Sequence, residues 1–187
     1  MAEIPIIPNP LPYEDRLAAR DVGLIDLVVI HCTELPDLAT AREYGERIVH
    51  AGGGTGNSGH YYVDRDGRIE RYVADARIAH HCFGWNARSI GIELVNRGRY
   101  PHWADSRQQR FEEPYPEAQV AALLDLLADL RQRLASLRWI AGHEDLDRRL
   151  EPASDDPSVL LRRRLDPGPL FPWQRVLRAA GLERLDA

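Results

Sequence analysis

Residues 24–37 read LIDLVVIHCTELPD, and this stretch decides the fold. Its first half is apolar and rich in β-branched residues, and Gly23 and Pro36 bound it, which is the pattern of a buried strand. The strand ends on His31, a polar side chain at the point where a buried strand reaches the edge of a sheet. Ligands of α/β sheets bind at such strand ends. We therefore expect a central strand at 24–31 with His31 at its functional end.

The segments that follow alternate between helical and extended patterns. Residues 38–53 predict a short helix, with Thr40 as its N-cap and Gly52 as its stop. Residues 60–73 predict two short strands joined at the Asp66-Gly67 turn signal. The glycine-rich residues 52–59 predict a flexible loop, since no GK[ST] follows that would favour phosphate binding.

The second half of the chain carries the longest helical pattern. Residues 115–137 predict a helix with Pro116 in its first turn. Its apolar stripe is typical of core packing, and consists of Val120, Leu123, Leu124, Leu127, Leu130 and Leu134. Two more strands, at 89–96 and at 138–143, and a final helix at 173–181 complete the pattern, with irregular chain at 97–115.

Strands that alternate with helices around one core predict the α/β class, as a single domain with a central mixed β-sheet flanked by helices. The proline-rich residues 1–23 are expected to be an N-terminal surface extension. Residues 24–180 are expected to form the domain, and residues 181–187 a C-terminal tail. No internal repeat is found, and no linker long enough to separate two domains.

The amino-acid composition limits the classes of function that are expected. The 187 residues are 44% hydrophobic and 28% charged, which is globular, and the net charge of −5 argues against nucleic-acid binding. Two cysteines, Cys32 and Cys82, are too few for a disulfide framework, although they allow one bridge. No run reaches the ~18 apolar residues of a membrane span. The N-terminus lacks the pattern of a signal peptide, so the expected location is the cytoplasm. The oligomeric state is not predicted.

Two of the seven histidines stand out by position, because His31 and His143 each end a short apolar strand. A catalytic zinc site needs three protein ligands and an open fourth position. Asp166 is a candidate third ligand, since the following Pro-Gly fixes the backbone, although an ordinary Asx turn explains it by spacing alone. Cys32 is an alternative ligand, but neighbours on a strand face opposite sides of the sheet.

Glu93 interrupts the apolar strand at 89–96. A carboxylate buried beside a metal could act as a general base, with its pKa tuned by burial and by the cation. A salt bridge to one of the many arginines explains the same residue equally well.

Five blocks of the sequence resemble the zinc N-acetylmuramoyl-L-alanine amidases of type 2, the AmpD-like group that shares its fold with peptidoglycan recognition proteins. These blocks are VVIHCT, SGHYYVDRDGRIERYV, SIGIELVN, AGHEDL and RRLDPGPLFPW, and they occur in the order of the family between residues 24 and 177. The resemblance implies that residues 24–180 are an amidase catalytic domain.

The resemblance also implies roles for single residues. His31, His143 and Asp166 match the ligands of one Zn²⁺ ion. Glu93 matches a glutamate that helps to activate water, and Arg164 stands where the family usually has an oxyanion-stabilising lysine. His81 and Asn86 are then the expected substrate contacts.

Three departures from the family pattern accompany the resemblance. Arg164 keeps the positive charge of lysine but cannot donate a proton, because an arginine guanidinium stays protonated in proteins. Gly59 stands where some relatives carry a catalytic tyrosine, so Glu93 would be the base. Residues 147–163 form an inserted loop, which either lines the groove or is solvated.

The implied reaction is hydrolysis of the amide between the lactyl group of N-acetylmuramic acid and L-alanine, in peptidoglycan fragments or cell wall. Retention of all three ligands favours an enzyme over the alternative, a non-catalytic module that binds muropeptides. Within the enzymes, the sequence leaves open whether the chain recycles anhydro-muropeptides or lyses cell wall after release by a route without a cleaved signal.

Overall fold

The central strand is buried on both faces. In the computed structural model, which describes residues 4–186, strand β2 spans Leu27–Cys32 and all six residues are buried. Strands β5 (Ser89–Leu94) and β6 (Trp139–Gly142) flank β2, both parallel to it. A parallel strand covered on both faces needs consecutive apolar residues, which Leu27 to Ile30 supply. The strand predicted at 24–31 is confirmed, with its start three residues later.

Four short strands widen this centre into a seven-stranded sheet of order β1-β4-β3-β5-β2-β6-β9. The only antiparallel pair among the described strands of this sheet is β3 with β4, the predicted hairpin, so the sheet is mixed as expected. The added strands are β1 (Ile6–Pro8), β3 (Tyr61–Val63), β4 (Ile69–Arg71) and β9 (Glu183–Arg184).

Helices cover the sheet, and α2 and α4 share one face. Val28 and Ile30 of β2 point toward that face and join a core cluster with Leu123, Leu127 and Val176 of the two helices. Leu27, Val29 and therefore His31 point to the opposite face. The described helices are α1 (Leu38–Glu46), α2 (Glu117–Arg133), α3 (His143–Leu146) and α4 (Trp173–Ala180), with 3-10 turns at Glu14–Arg16, Val22–Leu24 and Asn86–Arg88.

The predicted limits of the first helix were wrong at both ends. The N-cap of α1 is Asp37, whose Oδ1 accepts a hydrogen bond from the backbone N–H of Thr40 at 2.7 Å, so Thr40 lies inside the helix. A carboxylate at the N-cap satisfies an orphan donor of the first turn. The helix ends at Glu46, because Arg47 takes an extended conformation, well before Gly52.

Helix α2 confirms the predicted stripe. Pro116 is its N-cap, and five of the six predicted stripe residues are buried while Leu124 is partly buried. Leu126 is buried as well, so the apolar face is wider than predicted. Gln119 is also buried, and its side-chain N–H groups donate to the carbonyls of Val63 and Val95, which ties the helix to the ends of two strands.

The two terminal segments were expected to be a surface extension and a tail, but each supplies a strand to the central sheet. Ile6–Pro8 pairs with β4, and Leu11, Tyr13 and Leu17 are buried against the α1 side of the sheet. At the other end, β9 pairs with β6. Strands of two or three residues are too short to show a period in the sequence, which is why neither was predicted.

The inserted segment 147–163 forms an antiparallel two-stranded sheet of β7 (Leu150–Pro152) and β8 (Leu160–Arg162). This segment lies between His143 and Asp166 in the sequence. Of the helices within residues 4–186, none combines the length and the apolar character that crossing a lipid bilayer requires.

Candidate metal centre

Three side chains that are distant in sequence meet at one end of the sheet. His31 lies at the end of β2, and His143 directly follows β6, whose Gly142 pairs with Ile30 of β2. The two histidine Nδ1 atoms lie 3.0 Å apart, and Asp166 Oδ2 lies 3.1 Å from each. All three residues are buried, and they form the group that is able to hold a metal ion.

The donor set and its spacing suit a divalent metal. Ligands 2.0–2.1 Å from a tetrahedral zinc ion lie about 3.3 Å apart, close to the spacing found here. Asp166 Oδ1 is buried and has no hydrogen-bond partner among the described residues, so the carboxylate is not fully satisfied by protein. Two imidazoles and one carboxylate are also ligands that zinc accepts in catalytic sites.

The protonation states are those that ligands need. Burial, and then the proximity of His143, lower the pKa of His31 to about 4, so its imidazole is neutral. Burial alone would raise the pKa of Asp166, but the proximity of His143 holds it well below the usual value. A neutral imidazole and an ionised carboxylate are the metal-binding forms.

The turn that carries Asp166 is pressed against the end of β6. A Cβ added to Gly142 would lie 2.9 Å from Pro167 Cδ and 3.2 Å from a ring carbon of Trp173, so glycine permits this approach. Tyr115 OH donates to Pro167 O at 2.7 Å, and the backbone N–H of Glu144 donates to Asp166 O at 2.9 Å. An ordinary Asx turn therefore does not fully account for Asp166, because its side chain points into the cluster.

A chain of hydrogen bonds behind His31 fixes its tautomer. Ser89 Oγ donates its one proton to Trp85 O, so at His81 Nε2, 3.1 Å away, Ser89 must accept. Burial keeps the pKa of His81 well below its usual value, so His81 is neutral and its Nδ1 accepts from His31 Nε2 at 3.0 Å. His31 Nδ1 therefore carries the lone pair, directed at the cluster.

Both expected substrate contacts have local partners. The His81 ring packs over Gly91, where an added Cβ would lie 2.6 Å from its Cγ. Asn86 Oδ1 accepts from the backbone N–H groups of His81 and Cys82, at 3.1 and 2.7 Å. Both residues also line the cavity described below. Their substrate contact stays a prediction, and the hydrogen bonds give them a supporting role as well.

Glu93 lies beside the cluster on the same face of the sheet. Its Oε1 is 4.0 Å from His31 Nδ1, and its side chain is 15% exposed. Burial first, and then the Asp166 carboxylate, raise the pKa of Glu93 to about 8. The alternative for Glu93, a salt bridge to an arginine, is not found among the described residues. A Cβ at Gly59 would lie 2.8 Å from Glu93 Cγ, so the missing side chain at 59 leaves room for this glutamate.

Arg164 places a positive charge beside Glu93 and the cluster. Its half-buried side chain lines the same cavity, and within residues 4–186 it makes no hydrogen bond or ion pair; its Nε is buried without a partner. Its charge is close enough to lower the pKa of Glu93, against the effects of burial and Asp166. An arginine without a counter-ion is available to a substrate oxygen.

A cavity of about 990 Å³ opens above these residues. Tyr44 and Arg47 line one wall, and Glu151 and Leu161 of the β7–β8 hairpin line another. Of the two interpretations of segment 147–163, the hairpin therefore lines the groove. Phe83, 79% exposed and also lining the cavity, was not singled out from the sequence, because a lone aromatic residue in a turn carries no pattern.

The cysteines lie outside the cluster. Cys32 and Cys82 are both free and buried, and neither belongs to the group of ligand atoms formed by the three residues. Burial raises the pKa of Cys82 to about 12 and that of Cys32 well above its usual value, so both are protonated thiols. The alternative in which Cys32 is a ligand is therefore wrong for this arrangement.

Comparisons with known proteins agree with this architecture. The family described as N-acetylmuramoyl-L-alanine amidase matches residues 21–169. The N-acetylmuramoyl-L-alanine amidase AmiD of Escherichia coli (strain K12) is 32% identical over 118 residues, which cover 58% of this chain and 37% of that protein. The chain thus matches little more than a third of this curated relative.

Two solved structures are similar over most of the chain. A complex of AmiD from E. coli with the substrate anhydro-N-acetylmuramic acid-L-Ala-D-gamma-Glu-L-Lys has a TM-score of 0.64 and 28% identity, covering 89% of this chain and 60% of that one. The amidase LysC from Clostridium intestinale URNW has a TM-score of 0.66 over 95% of this chain and 98% of that one. Its 19% identity shows a shared fold alone.

Proposed function

Because the chain belongs to the N-acetylmuramoyl-L-alanine amidase family, we propose that it is a zinc hydrolase that cleaves the amide between the lactyl group of N-acetylmuramic acid and L-alanine. The observation that carries this proposal is the buried triangle of His31, His143 and Asp166 with Glu93 at its side. The product pair would be a muramic acid with a free lactyl carboxylate and a peptide with a free amine.

His31, His143 and Asp166 would hold one Zn²⁺ ion. When bound, such an ion supplies Lewis-acid polarisation of the scissile carbonyl and lowers the pKa of the attacking water. The hydrogen-bond chain from His31 through His81 to Ser89 keeps the ligand nitrogen unprotonated and the ring in place.

Glu93 would be the general base and then the general acid. Its carboxylate takes a proton from the attacking water and delivers a proton to the leaving nitrogen, which becomes the amine of L-alanine. A pKa raised toward neutrality suits both transfers, and the positive charge of a bound cation would lower it from the value of the metal-free site.

Arg164 would stabilise the charge that develops on the carbonyl oxygen. Its guanidinium has no partner among the described residues and lines the cavity with Glu93 and the cluster. Donors directed at a developing oxyanion in a water-poor site are among the largest contributions to hydrolytic catalysis.

A metal-dependent activity assay tests this proposal. Purified chain is incubated with a muropeptide, and the free peptide is measured by mass spectrometry with and without a chelator. We expect release that stops on chelation and returns with Zn²⁺. His31→Ala should lose both bound zinc and activity, while His102→Ala, a histidine outside the cluster, should keep both.

The alternative is a non-catalytic module that binds muropeptides. It predicts retained binding of the muropeptide with no free peptide in any metal condition. The presence of Asp166 in the cluster favours the enzyme, because a third protein ligand is what a catalytic zinc site requires.

The form of the natural substrate is a separate proposal. The AmiD complex contains an anhydro-muropeptide with a tripeptide stem, and we propose the same chemical class for this chain. Rates on a soluble anhydro-muropeptide and on intact sacculi compare recycling with wall lysis directly. A cytoplasmic location stays a prediction from the sequence, and cell fractionation measures it.

A further inference from the structure

A second pair of buried charges lies next to the metal centre. Glu34 follows β2, Arg99 lies in the irregular segment after β5, and only 5% and 4% of their surfaces are exposed. Removing two charges from water is costly, and a buried pair is retained only where its geometry and further hydrogen bonds offset that cost. We propose that this pair is a positioning device for Arg164.

The geometry of the pair is bidentate. Arg99 Nε donates to Glu34 Oε1 and Arg99 Nη2 donates to Glu34 Oε2, both at 2.7 Å, and the backbone N–H of Arg99 donates to Oε1 at 3.1 Å. Glu34 has a φ of 49°, and among residues 4–186 it is the one non-glycine with a positive φ. Such a conformation persists only where the surroundings impose it, and it is common at functional sites.

The remaining donors of Arg99 reach two other segments. Nη1 donates to Gln109 Oε1 at 3.0 Å and to Trp103 O at 3.2 Å, within its own loop. Nη1 and Nη2 also face Arg162 O at 3.5 Å and Arg163 O at 3.4 Å, at the end of β8. One guanidinium therefore joins the turn after β2, the loop after β5 and the strand that leads into Arg164.

The Arg164 side chain has no anchorage of its own. Its guanidinium makes no hydrogen bond or ion pair within the described part of the chain, and the two carbonyls that precede it along the chain face Arg99. Glu34 neutralises Arg99, so Arg99 adds no unpaired charge beside Glu93 and the cluster, where the Arg164 guanidinium has no ion pair among the described residues. The Glu34–Arg99 pair thus fixes the position of Arg164, the expected oxyanion donor. Because Arg99 is neutralised, the pair adds no second unpaired charge beside Arg164.

Arginine suits this role for a geometric reason. Its planar fork places five N–H donors at fixed angles, so both carboxylate oxygens and the carbonyls are reached together. A lysine keeps the charge but offers three donors from a single atom, and it cannot span these acceptors. Arg99→Lys is therefore a variant that retains a buried cation against Glu34 and loses the anchorage.

The matched control is Arg65→Lys. Arg65 also forms a bidentate pair, with Glu113, between a hairpin and an irregular segment, but it does not contact residues 162–164. We expect Arg99→Lys to lower kcat about 10- to 100-fold, the cost of a misplaced catalytic group, with KM and zinc content little changed. Arg65→Lys should leave kcat within about twofold, as is usual for a partly exposed ion pair.

A double variant separates positioning from general destabilisation. If Arg99 acts through Arg164, Arg99→Lys should have little further effect on kcat in the Arg164→Ala background. An equal fold-loss in both backgrounds, or loss of zinc in Arg99→Lys alone, would overturn the proposal.

A readout independent of turnover keeps this inference distinct from the proposed function on which it rests. Amide hydrogen exchange is measured in metal-free protein, in the peptide that covers residues 160–166. Its rate should be about tenfold or more higher in Arg99→Lys than in Arg65→Lys. If wild-type chain releases no peptide but this exchange rises, the amidase proposal fails and the anchorage stands. Unchanged exchange overturns the anchorage whatever the activity.

Discussion

His31 and Glu93 are direct neighbours across two parallel strands, with His31 of β2 in register with Glu93 of β5. Both side chains leave the same face of the sheet, and His31 Nδ1 lies 4.0 Å from Glu93 Oε1. The relation between the proposed metal ligand and the proposed acid–base group is therefore set by strand pairing, which side-chain flexibility disturbs little.

Replacing Glu93, the proposed acid–base group, should lower turnover without loss of zinc. We expect Glu93→Gln to lower kcat about 10²–10⁴-fold, the range for loss of general acid–base catalysis, while zinc content stays at the wild-type value. Kinetics and metal analysis on the same sample measure both. A variant with full turnover would remove Glu93 from the mechanism.

The same variant gives a pH signature in metal-free protein. Because the pKa of Glu93 is raised to about 8, the folded protein holds a proton there that the unfolded chain releases near pH 4.5. This contribution to stability is complete below pH 4.5 and is lost as the pH rises through 8. Urea unfolding at pH 5, 6.5 and 8 should therefore show wild type losing stability relative to Glu93→Gln.

Glu43→Gln, at an exposed position of α1, corrects this comparison for the loss of one negative charge. After this correction, the difference in unfolding free energy between wild type and Glu93→Gln should change with pH. A constant difference would contradict the raised pKa of Glu93.

The space at residue 59 should also affect catalysis, because it leaves room for the Glu93 side chain. In Gly59→Ala the new Cβ would lie 2.8 Å from Glu93 Cγ and 3.1 Å from Gly91 O, so the glutamate must move. We expect kcat to fall about tenfold or more, because small displacements of catalytic groups are costly. Gly53→Ala is the control, since its nearest neighbour is Thr55 Oγ1 at 3.6 Å. Equal rates for both variants would show that Glu93 tolerates displacement.

Removal of the unpaired guanidinium should leave the metal in place. Arg164→Ala is expected to lower kcat about 10²–10³-fold, the usual cost of one oxyanion donor, with zinc content unchanged. Arg164→Lys should recover part of the rate, because it keeps the charge at this position. Arg175→Ala, which breaks a surface pair with Glu117, controls for loss of a positive charge. An unaltered rate in Arg164→Ala would exclude the role.

His81 can be assigned to ligand support or to substrate contact by one variant. Its hydrogen bond to His31 predicts that His81→Ala weakens zinc binding about 10- to 100-fold, as for other groups that orient metal ligands. A purely substrate-contacting residue would raise KM and leave the zinc affinity unchanged. Zinc titration against a competing chelator, followed by kinetics at saturating zinc, separates the two.

Strong local patterns predicted the fold well. The consecutive apolar residues of β2, the Asp66-Gly67 turn of the hairpin and the stripe of α2 each reflect burial or turn chemistry that a short window contains. The first helix shows the limit, because Asp37 and Thr40 are both acceptable caps by residue type. The three-dimensional structure identifies Asp37 as the cap, because its Oδ1 accepts from the backbone N–H of Thr40.

The three residues of the cluster could be predicted from the sequence, but the residues that support them could not. His31, His143 and Asp166 stand at strand ends or beside Pro-Gly, which local sequence displays. Arg99 is one arginine among many in an irregular segment, and its importance comes from acceptors that lie 63 to 65 residues away along the chain. Contacts of that kind carry no local period, so they become visible only in three dimensions.

The wide spacing of the cluster along the chain has a further effect. His31 and His143 are 112 residues apart, and His143 and Asp166 are 23 apart. An ion shared by all three would fasten the first core strand to the C-terminal third of the polypeptide, closing two loops that the denatured chain would otherwise leave open. Starvation for the ion would then shorten the lifetime of the protein against cellular proteases, so metal supply would govern abundance as well as rate.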